Sequence, residues 1–289
     1  MPELPEVETV RRRLLPHVEG KAIRSVEVRD TRLVGRDDPR RVEQRLAGRT
    51  LITLDRRGKY LLLRLDGGET LISHLRMTGN WLVVGGDEPS HTRAVITLAD
   101  GTAVAYADAR RFGTWDLLTD ADAATYLAAR LGPEPIDADF DGAVLQAAFR
   151  GRQAPVKALL LDQRLVAGVG NIYADEALNA ACIHPDRPAG RLTRPQCDRL
   201  AATVRTALEE GIRAQGSSIR DFRSPDGGYG SMQERFRVYG RDGEPCLACG
   251  TEIVKTRCAG RGTHVCPVCQ PKPRRSRGMR RPRTTLEQV

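Results

Sequence analysis

The sequence predicts an α+β multidomain protein: a β-rich N-terminal part behind one helix, a helical middle, and a small metal-held module near the C-terminus. Three observations carry this. Short apolar or alternating runs separated by turn residues fill the chain to about residue 118. Apolar residues then recur at helical spacing from about Ala143 to Ala214. Four cysteines follow in the order Cys-x2-Cys-x16-Cys-x2-Cys.

Residues 5–19 read as an amphipathic helix. Pro5 suits a first helical turn, Glu6 and Glu8 sit near the positive end of the helix dipole, and Val7, Val10, Leu14 and Val18 share a face. Strands are expected at Leu51–Leu54, Tyr60–Leu65, Thr70–His74, Trp81–Val84, Ala94–Leu98 and Ala103–Ala107, with Asp66-Gly67-Gly68 and Asp100-Gly101 as turns. Strands at such close intervals suggest a β-sandwich or barrel. Leu131-Gly132-Pro133-Glu134-Pro135 reads as a linker. The Gly/Ser/Asp-rich stretch from Gln215 to Ser231 has little apolar periodicity and is expected to be a mobile loop.

The chain has 289 residues, ample for two or three domains, and a formal net charge of +9. Such an excess favours a polyanionic partner, because cations placed on phosphates release condensed counterions; nucleic acid is the expectation. No run of 18 apolar residues exists and no segment looks like a basic amphipathic anchor, so a membrane partner is not expected. The N-terminus is acidic and lacks the apolar core of a signal peptide, and the seven cysteines are an odd number; both point to a reducing, cytoplasmic location.

Cys246, Cys249, Cys266 and Cys269 have the spacing of a four-thiolate zinc site. With four ligands the site is closed, so the one Zn2+ is structural. His264 is read as a bystander. The metal is expected to hold a hairpin whose tip, within Thr251 to Val265, presents Lys255, Arg257 and Arg261 to a phosphate backbone. Seven Lys or Arg between Lys272 and Arg283 suggest a disordered basic tail over 272–289.

The opening residues carry chemistry. A proline after the initiator Met1 is exposed when that methionine is removed, leaving a secondary amine at Pro2. Reference α-amino groups titrate near about 7.7–8, so part of the population is nucleophilic at neutral pH. Such an amine can attack an aldehyde carbon and form an iminium, and Glu3 beside it can move protons.

Met1-Pro2-Glu3-Leu4-Pro5-Glu6-Val7-Glu8-Thr9-Val10-Arg11-Arg12 resembles the N-terminus of bacterial formamidopyrimidine-DNA glycosylases. Asp55-Arg56-Arg57-Gly58-Lys59-Tyr60-Leu61 is similar to that family's lysine motif. His74-Leu75-Arg76-Met77-Thr78-Gly79 and Asp108-Ala109-Arg110-Arg111-Phe112-Gly113 resemble its DNA-probing loops. Gly168-Val169-Gly170-Asn171-Ile172-Tyr173-Ala174-Asp175-Glu176 is similar to its helix–two-turns–helix signature, and the finger ends in Cys266-Pro267-Val268-Cys269-Gln270.

The resemblance implies a β-sandwich catalytic domain over 1–130, a linker over 131–136, a helix–two-turns–helix domain over 137–230 and a zinc finger over 237–271. It implies a monomer that repairs damaged double-stranded DNA by excising oxidised purines and then cleaving the strand. Pro2 is implied as nucleophile, Glu3 as proton donor, Lys59 in β-elimination and Arg261 in δ-elimination. Met77, Arg110 and Phe112 match the residues that fill the gap left by an extruded base. His91, Arg152 and Asn171 match further DNA contacts. Gly168 and Gly170 are expected to make a tight turn after which the helix amides point outward to a phosphate. Two departures stand out: Ser231 follows Gly230 where a tyrosine is common, and Arg76 stands where some members have glycine. Two rival readings remain open from the sequence: an endonuclease VIII-like glycosylase for oxidised pyrimidines, and a noncatalytic damage-binding protein.

Overall fold

The structure is a computed structural model that describes residues 2–35, 37–218 and 222–273. The basic tail from residue 274 and the fate of Met1 lie outside the described residues. Helix α1 (Leu4–Val18) leads into eight antiparallel strands, β1 to β8, running from Lys21 to Thr119. Their order is β5-β7-β6-β1-β2-β3-β4-β8. Strand β1 (Lys21–Val28) pairs with β2 (Thr50–Arg57) through Lys21 and Ala22, then with β6 (Thr92–Leu98) from Ile23 onward, across an irregularity between Ile23 and Ser25. One strand thus serves two sheets, a corner that folds the layer into a sandwich. The two ends of the strand order meet where Trp81 of β5 (Asn80–Val83) stacks on Trp115 of β8 (Thr114–Thr119), ring centroids 5.0 Å apart.

The strands expected at Tyr60–Leu65 and Ala103–Ala107 occur with those bounds, as β3 and β7, and the others within two or three residues. Four elements escaped the apolar-run criterion. Strand β1 alternates charged and apolar residues because one face meets water. Helix α2 (Pro39–Leu46) buries only Val42 and Leu46, one turn apart, and is started by the Asp38 carboxylate accepting from Arg40 N–H at 3.0 Å. Strand β8 and helix α3 (Asp120–Ala128) complete the domain, and the Thr119 hydroxyl caps α3.

Helix α1 belongs to two cores. Val7, Val10, Leu14 and Val18 pack inside the β-sandwich. Leu4 packs with the helical domain, built from α4 (Gly142–Phe149), α5 (Val156–Leu160), α6 (Asn171–Ala180) and α7 (Arg194–Arg213). The stretch read as a linker is a clamp. Glu134 is buried and bridges Arg56 (2.8 Å) and Arg57 (3.0 Å), while also accepting from Gly58 N–H.

The loop after α7, described over residues 215–218 and 222–231, reaches the β-sandwich. Phe222 packs against the β-sandwich core, Asn80 donates to the Arg223 carbonyl at 2.7 Å, and Val83 N–H donates to the Pro225 carbonyl at 2.9 Å. The polar backbone of its described part finds partners along edge strand β5. Strands β9 (Val254–Cys258) and β10 (Arg261–Val265) form the expected hairpin between the cysteine pairs. The apolar cluster of this module is only Val238, Cys246, Ile253 and Cys266 with Cys269 against it, too small to fold without a metal.

Candidate active site and nucleic-acid interface

The site is assembled at the N-terminus of the chain. Pro2 is buried, and Glu3 is 2% exposed and serves as the N-cap of α1. Glu3 N–H donates to the Glu6 carboxylate at 2.8 Å, half of a reciprocal capping box. The Glu3 carboxylate in turn accepts from Ile172 N–H at 2.9 Å and Tyr173 N–H at 3.4 Å, the first turn of α6. Of the first-turn amides expected to face a phosphate, these two are therefore engaged by a side chain of the protein. The reason is close approach. A Cβ on Gly170 would lie 2.2 Å from Glu3 Cδ, and one on Gly168, at φ +87°, would lie 2.4 Å from Leu4 Cδ1. The glycines of the signature exist to admit the chain terminus.

Burial raises the Glu3 carboxyl to about 7, with the Lys59 charge and the two amides opposing and Glu6 adding to the rise. Lys59 is not a surface lysine. It sits in the β2–β3 turn, 5% exposed, and burial lowers its pKa against the pull of Glu3 and Glu6. The Arg261 charge lowers it further, so the guanidinium at the hairpin tip acts on the same pocket. Lys59 thus lies within electrostatic reach of Glu3, Glu6 and Arg261. A buried carboxylic acid poised near neutrality and a buried amine with depressed basicity are the pair that proton transfer at neutral pH requires. Glu6 was not singled out in the sequence. Its position three residues after Glu3, the capping-box spacing, was the available signal.

The two probing loops are organised by one carboxylate. Asp108 accepts from Arg110 N–H (3.1 Å), Phe112 N–H (2.9 Å), Gly113 N–H (2.7 Å) and the Thr78 hydroxyl. Thr78 Oγ1 also accepts from Arg110 N–H at 3.0 Å, so the Met77 loop and the Arg110–Phe112 loop are locked together. Met77 is 36% and Phe112 52% exposed, with the Arg110 guanidinium 4.8 Å from the Phe112 ring centroid. Exposed apolar groups on a carboxylate-braced tip are not core residues. Arg76 adopts φ +52°, the left-handed region that favours glycine, so this departure carries backbone strain of roughly 1 kcal/mol. His91 is exposed, also left-handed at φ +62°, and its carbonyl accepts from Asp108 N–H at 3.0 Å, beside the same loops. Arg152 is exposed on the helical domain, its Nε on the Ala148 carbonyl at 2.9 Å. Asn171 is half-buried, and its Nδ2 donates to the Gly262 carbonyl of the hairpin at 3.0 Å.

The four cysteine sulfurs lie within 4.8 Å of one another. Separations of 3.4, 3.5 and 3.9 Å are close to the edge of about 3.8 Å expected for a tetrahedron with Zn–S near 2.3 Å. The set is complete without His264, whose ring nitrogens face Asp175 (3.5 Å) and Asp242 (3.3 Å) instead. The module is anchored to α6. The Glu176 carboxylate accepts from the N–H groups of Arg237, Val238 and Tyr239 at 2.7, 3.0 and 2.8 Å, and Asn179 Nδ2 donates to Gln270 Oε1 at 3.0 Å. Lys255, Arg257 and Arg261 are exposed on the hairpin.

A β-sandwich bearing a buried acid–amine pair, clamped to a helical domain and a four-thiolate finger, defines a DNA-processing enzyme with one structural zinc. Three family profiles cover the chain in order: the formamidopyrimidine-DNA glycosylase N-terminal domain over residues 1–115, the H2TH domain of that enzyme over 131–223, and a zinc finger found in FPG and IleRS over 243–272. The formamidopyrimidine-DNA glycosylase of Heliobacterium modesticaldum is 48% identical over 276 residues, covering 93% of this chain and all of the relative. The Lactococcus lactis Fpg bound to DNA containing an abasic site matches at 40% identity with a TM-score of 0.87, over 93% of this chain and all of that one. The wild-type L. lactis enzyme bound to DNA containing an oxidised pyrimidine matches at 40% identity and 0.87, over 94% of this chain and all of that one. The chain belongs to the formamidopyrimidine-DNA glycosylase family and is a DNA glycosylase/lyase of DNA repair. Among the described residues no helix is long and apolar enough to cross a membrane.

Proposed function

We propose that the protein excises oxidised purines, 8-oxoguanine and formamidopyrimidines, from duplex DNA through a Schiff base on Pro2, and then cuts the strand by β,δ-elimination. The observation that carries this is the Glu3 carboxyl, raised to about 7 by burial and held beside Pro2 by the first turn of α6. With Met1 removed, the Pro2 lone pair attacks the sugar C1′. The glycosidic bond breaks, and the base leaves with its electron pair and a proton; Glu3 is the donor within the site. The sugar ring opens to an iminium between Pro2 nitrogen and C1′. Loss of the C2′ proton then breaks the C3′–O3′ bond, and Lys59 is the buried amine suited to assist. Loss of the C4′ proton breaks the C5′–O5′ bond, with Arg261 stabilising the departing phosphate.

Met77, Arg110 and Phe112 fill the gap left by the extruded nucleotide: the apolar pair opens the step, and Arg110 offers donors to the orphaned partner, for which cytosine has matching acceptors. His91, Arg152, Asn171 and the hairpin cations contact the backbone of the damaged duplex. The domain limits are taken as 1–130, 131–136, 137–230 and 237–271, and the working form as a cytoplasmic monomer.

The test is borohydride trapping on 8-oxoguanine duplex. A covalent protein–DNA adduct is expected, and it disappears when Pro2 is replaced. No adduct from protein with a free Pro2 amine would overturn the reading and favour a noncatalytic damage-binding protein. The binding of an oxidised-pyrimidine DNA by the L. lactis relative makes the pyrimidine reading the serious rival. Excision of thymine glycol faster than of 8-oxoguanine would decide for it.

A further inference from the structure

The tip of the metal-held hairpin rests on a buried charge that the chemistry above does not use. Lys157 of α5 is fully buried, with Nζ 2.7 Å from Asp175 Oδ1 of α6. Its ammonium also donates to the Gly262 carbonyl at 3.0 Å and to Thr263 Oγ1 at 2.8 Å. The Thr263 hydroxyl then donates to the Arg261 carbonyl at 3.0 Å. Asp175 Oδ2 accepts from His264 N–H at 3.0 Å, and Asn171 gives the Gly262 carbonyl a second donor. The three residues after Arg261 are each gripped from the helical domain. The Arg261 side chain itself makes no ion pair or hydrogen bond among the described residues.

A buried ion pair is weak support for stability, since an apolar pair of the same volume packs as well. What the ammonium adds is direction: two of its donors are spent on the hairpin tip, and the Asp175 carboxylate balances its charge from α6. We propose that Lys157, Asp175 and Thr263 are positioning residues for Arg261, holding the hairpin tip where the guanidinium can meet the phosphate released by the second elimination. The inference rests on the role given to Arg261 above. None of the three touches the reacting atoms. Both eliminations expel a phosphate, but the role given to Arg261 places its cation at the oxygen leaving C5′, so a displaced tip should slow this step and spare the first.

The test uses the full zinc-loaded chain on duplex DNA with a pre-formed abasic site, the β- and δ-elimination products being resolved on a gel. Thr263→Val keeps the shape and removes the hydroxyl, leaving Lys157 its two other partners. The ratio of δ to β product should fall at least about fivefold, with the β-elimination rate within about twofold of wild type, as expected for a misplacement well under 1 Å. Thr263→Ser should restore the ratio. Asp175→Asn, which keeps the oxygen and removes the charge, should lower it in the same direction and stands in if the valine variant fails to fold. An unchanged ratio in the folded variants overturns the proposal, and so does an equal loss of both eliminations. Arg261→Ala separates the two readings: a wild-type ratio there sinks the role of Arg261 itself, whereas a lowered ratio there alone sinks only the positioning.

Discussion

Gly170→Ala isolates the placement of the acid from everything else in the protein. The added Cβ would sit 2.2 Å from Glu3 Cδ and 2.5 Å from its Oε1, against an ordinary contact of 3.4 Å or more. The carboxyl must therefore retreat by about 1 Å, losing its bonds to Ile172 and Tyr173. The obstacle is a side-chain end and the Gly170 backbone is extended, so stability should fall by only about 1–2 kcal/mol, the worth of the two hydrogen bonds. The chemistry should suffer far more. A misplacement of this size costs roughly 100-fold, and a general acid supplies about 100- to 10,000-fold in total. Single-turnover release of 8-oxoguanine should fall about 100-fold. Zinc content and affinity for abasic-site duplex, which depend on the finger and loops, should stay near wild type. Base release within about threefold of wild type, in a variant that melts normally, would refute the claim that the α6 terminus sets the acid.

Four further outcomes follow from the geometry. Glu3 has a native pKa of about 7, above its ordinary 4.5, so its proton is present at and below neutrality and is lost above it; the base-release rate should decline as pH rises through about 7, and Glu3→Gln should abolish that limb. The same raised value means that this group's contribution to stability is complete below about 4.5 and lost as pH passes 7, on the order of 3 kcal/mol; urea unfolding at pH 5 and pH 8 should show Glu3→Gln flattening the difference. Phe112→Ala should leave the melting temperature almost unchanged, because the ring is 52% exposed, yet slow excision from duplex more than cleavage of pre-formed abasic sites; equal slowing of both would argue against a gap-filling role. Stripping the metal with a chelator should abolish duplex binding before any effect on the β-sandwich, and zinc should restore it, followed by near-native tryptophan spectra throughout, since Trp81 and Trp115 lie in the sandwich core.

How much of this was readable depended on the kind of residue. Strand β3 was plain because Tyr60 to Leu65 is almost wholly buried, and the four cysteines carried their geometry in their spacing. Strand β1 and helix α2 were not, because each turns a charged face to water and buries few side chains. The resemblance supplied Pro2, Glu3, Lys59 and Arg261, but no spacing rule could show that Lys59 is buried or that its neighbour loop is braced by Glu134 from residues 76 positions away. The glycines of the signature were visible, but their close approach to Glu3 and Leu4 was not. A Gly-x-Gly turn before a helix fits an anion site from outside equally well as a carboxylate from within, and only the path of the N-terminus decides between them. Lys157, Asp175 and Glu176 left no periodic signal: Lys157 is the one charge of α5, and Asp175 and Glu176 are a lone adjacent pair in α6.

The ten residues of α6 have a consequence for how the protein comes into being. Pro2 and Glu3 are synthesised long before α6. Their seat is α6, and α6 is itself tied to residues as late as Gln270. At roughly 5–20 residues per second, the terminus waits on the order of tens of seconds for its partners to be made. Until then Glu3 is an ordinary exposed carboxylate. On the proposed mechanism the acid is seated only once this late part of the chain has been made, so a copy that stops short of it lacks its proton donor.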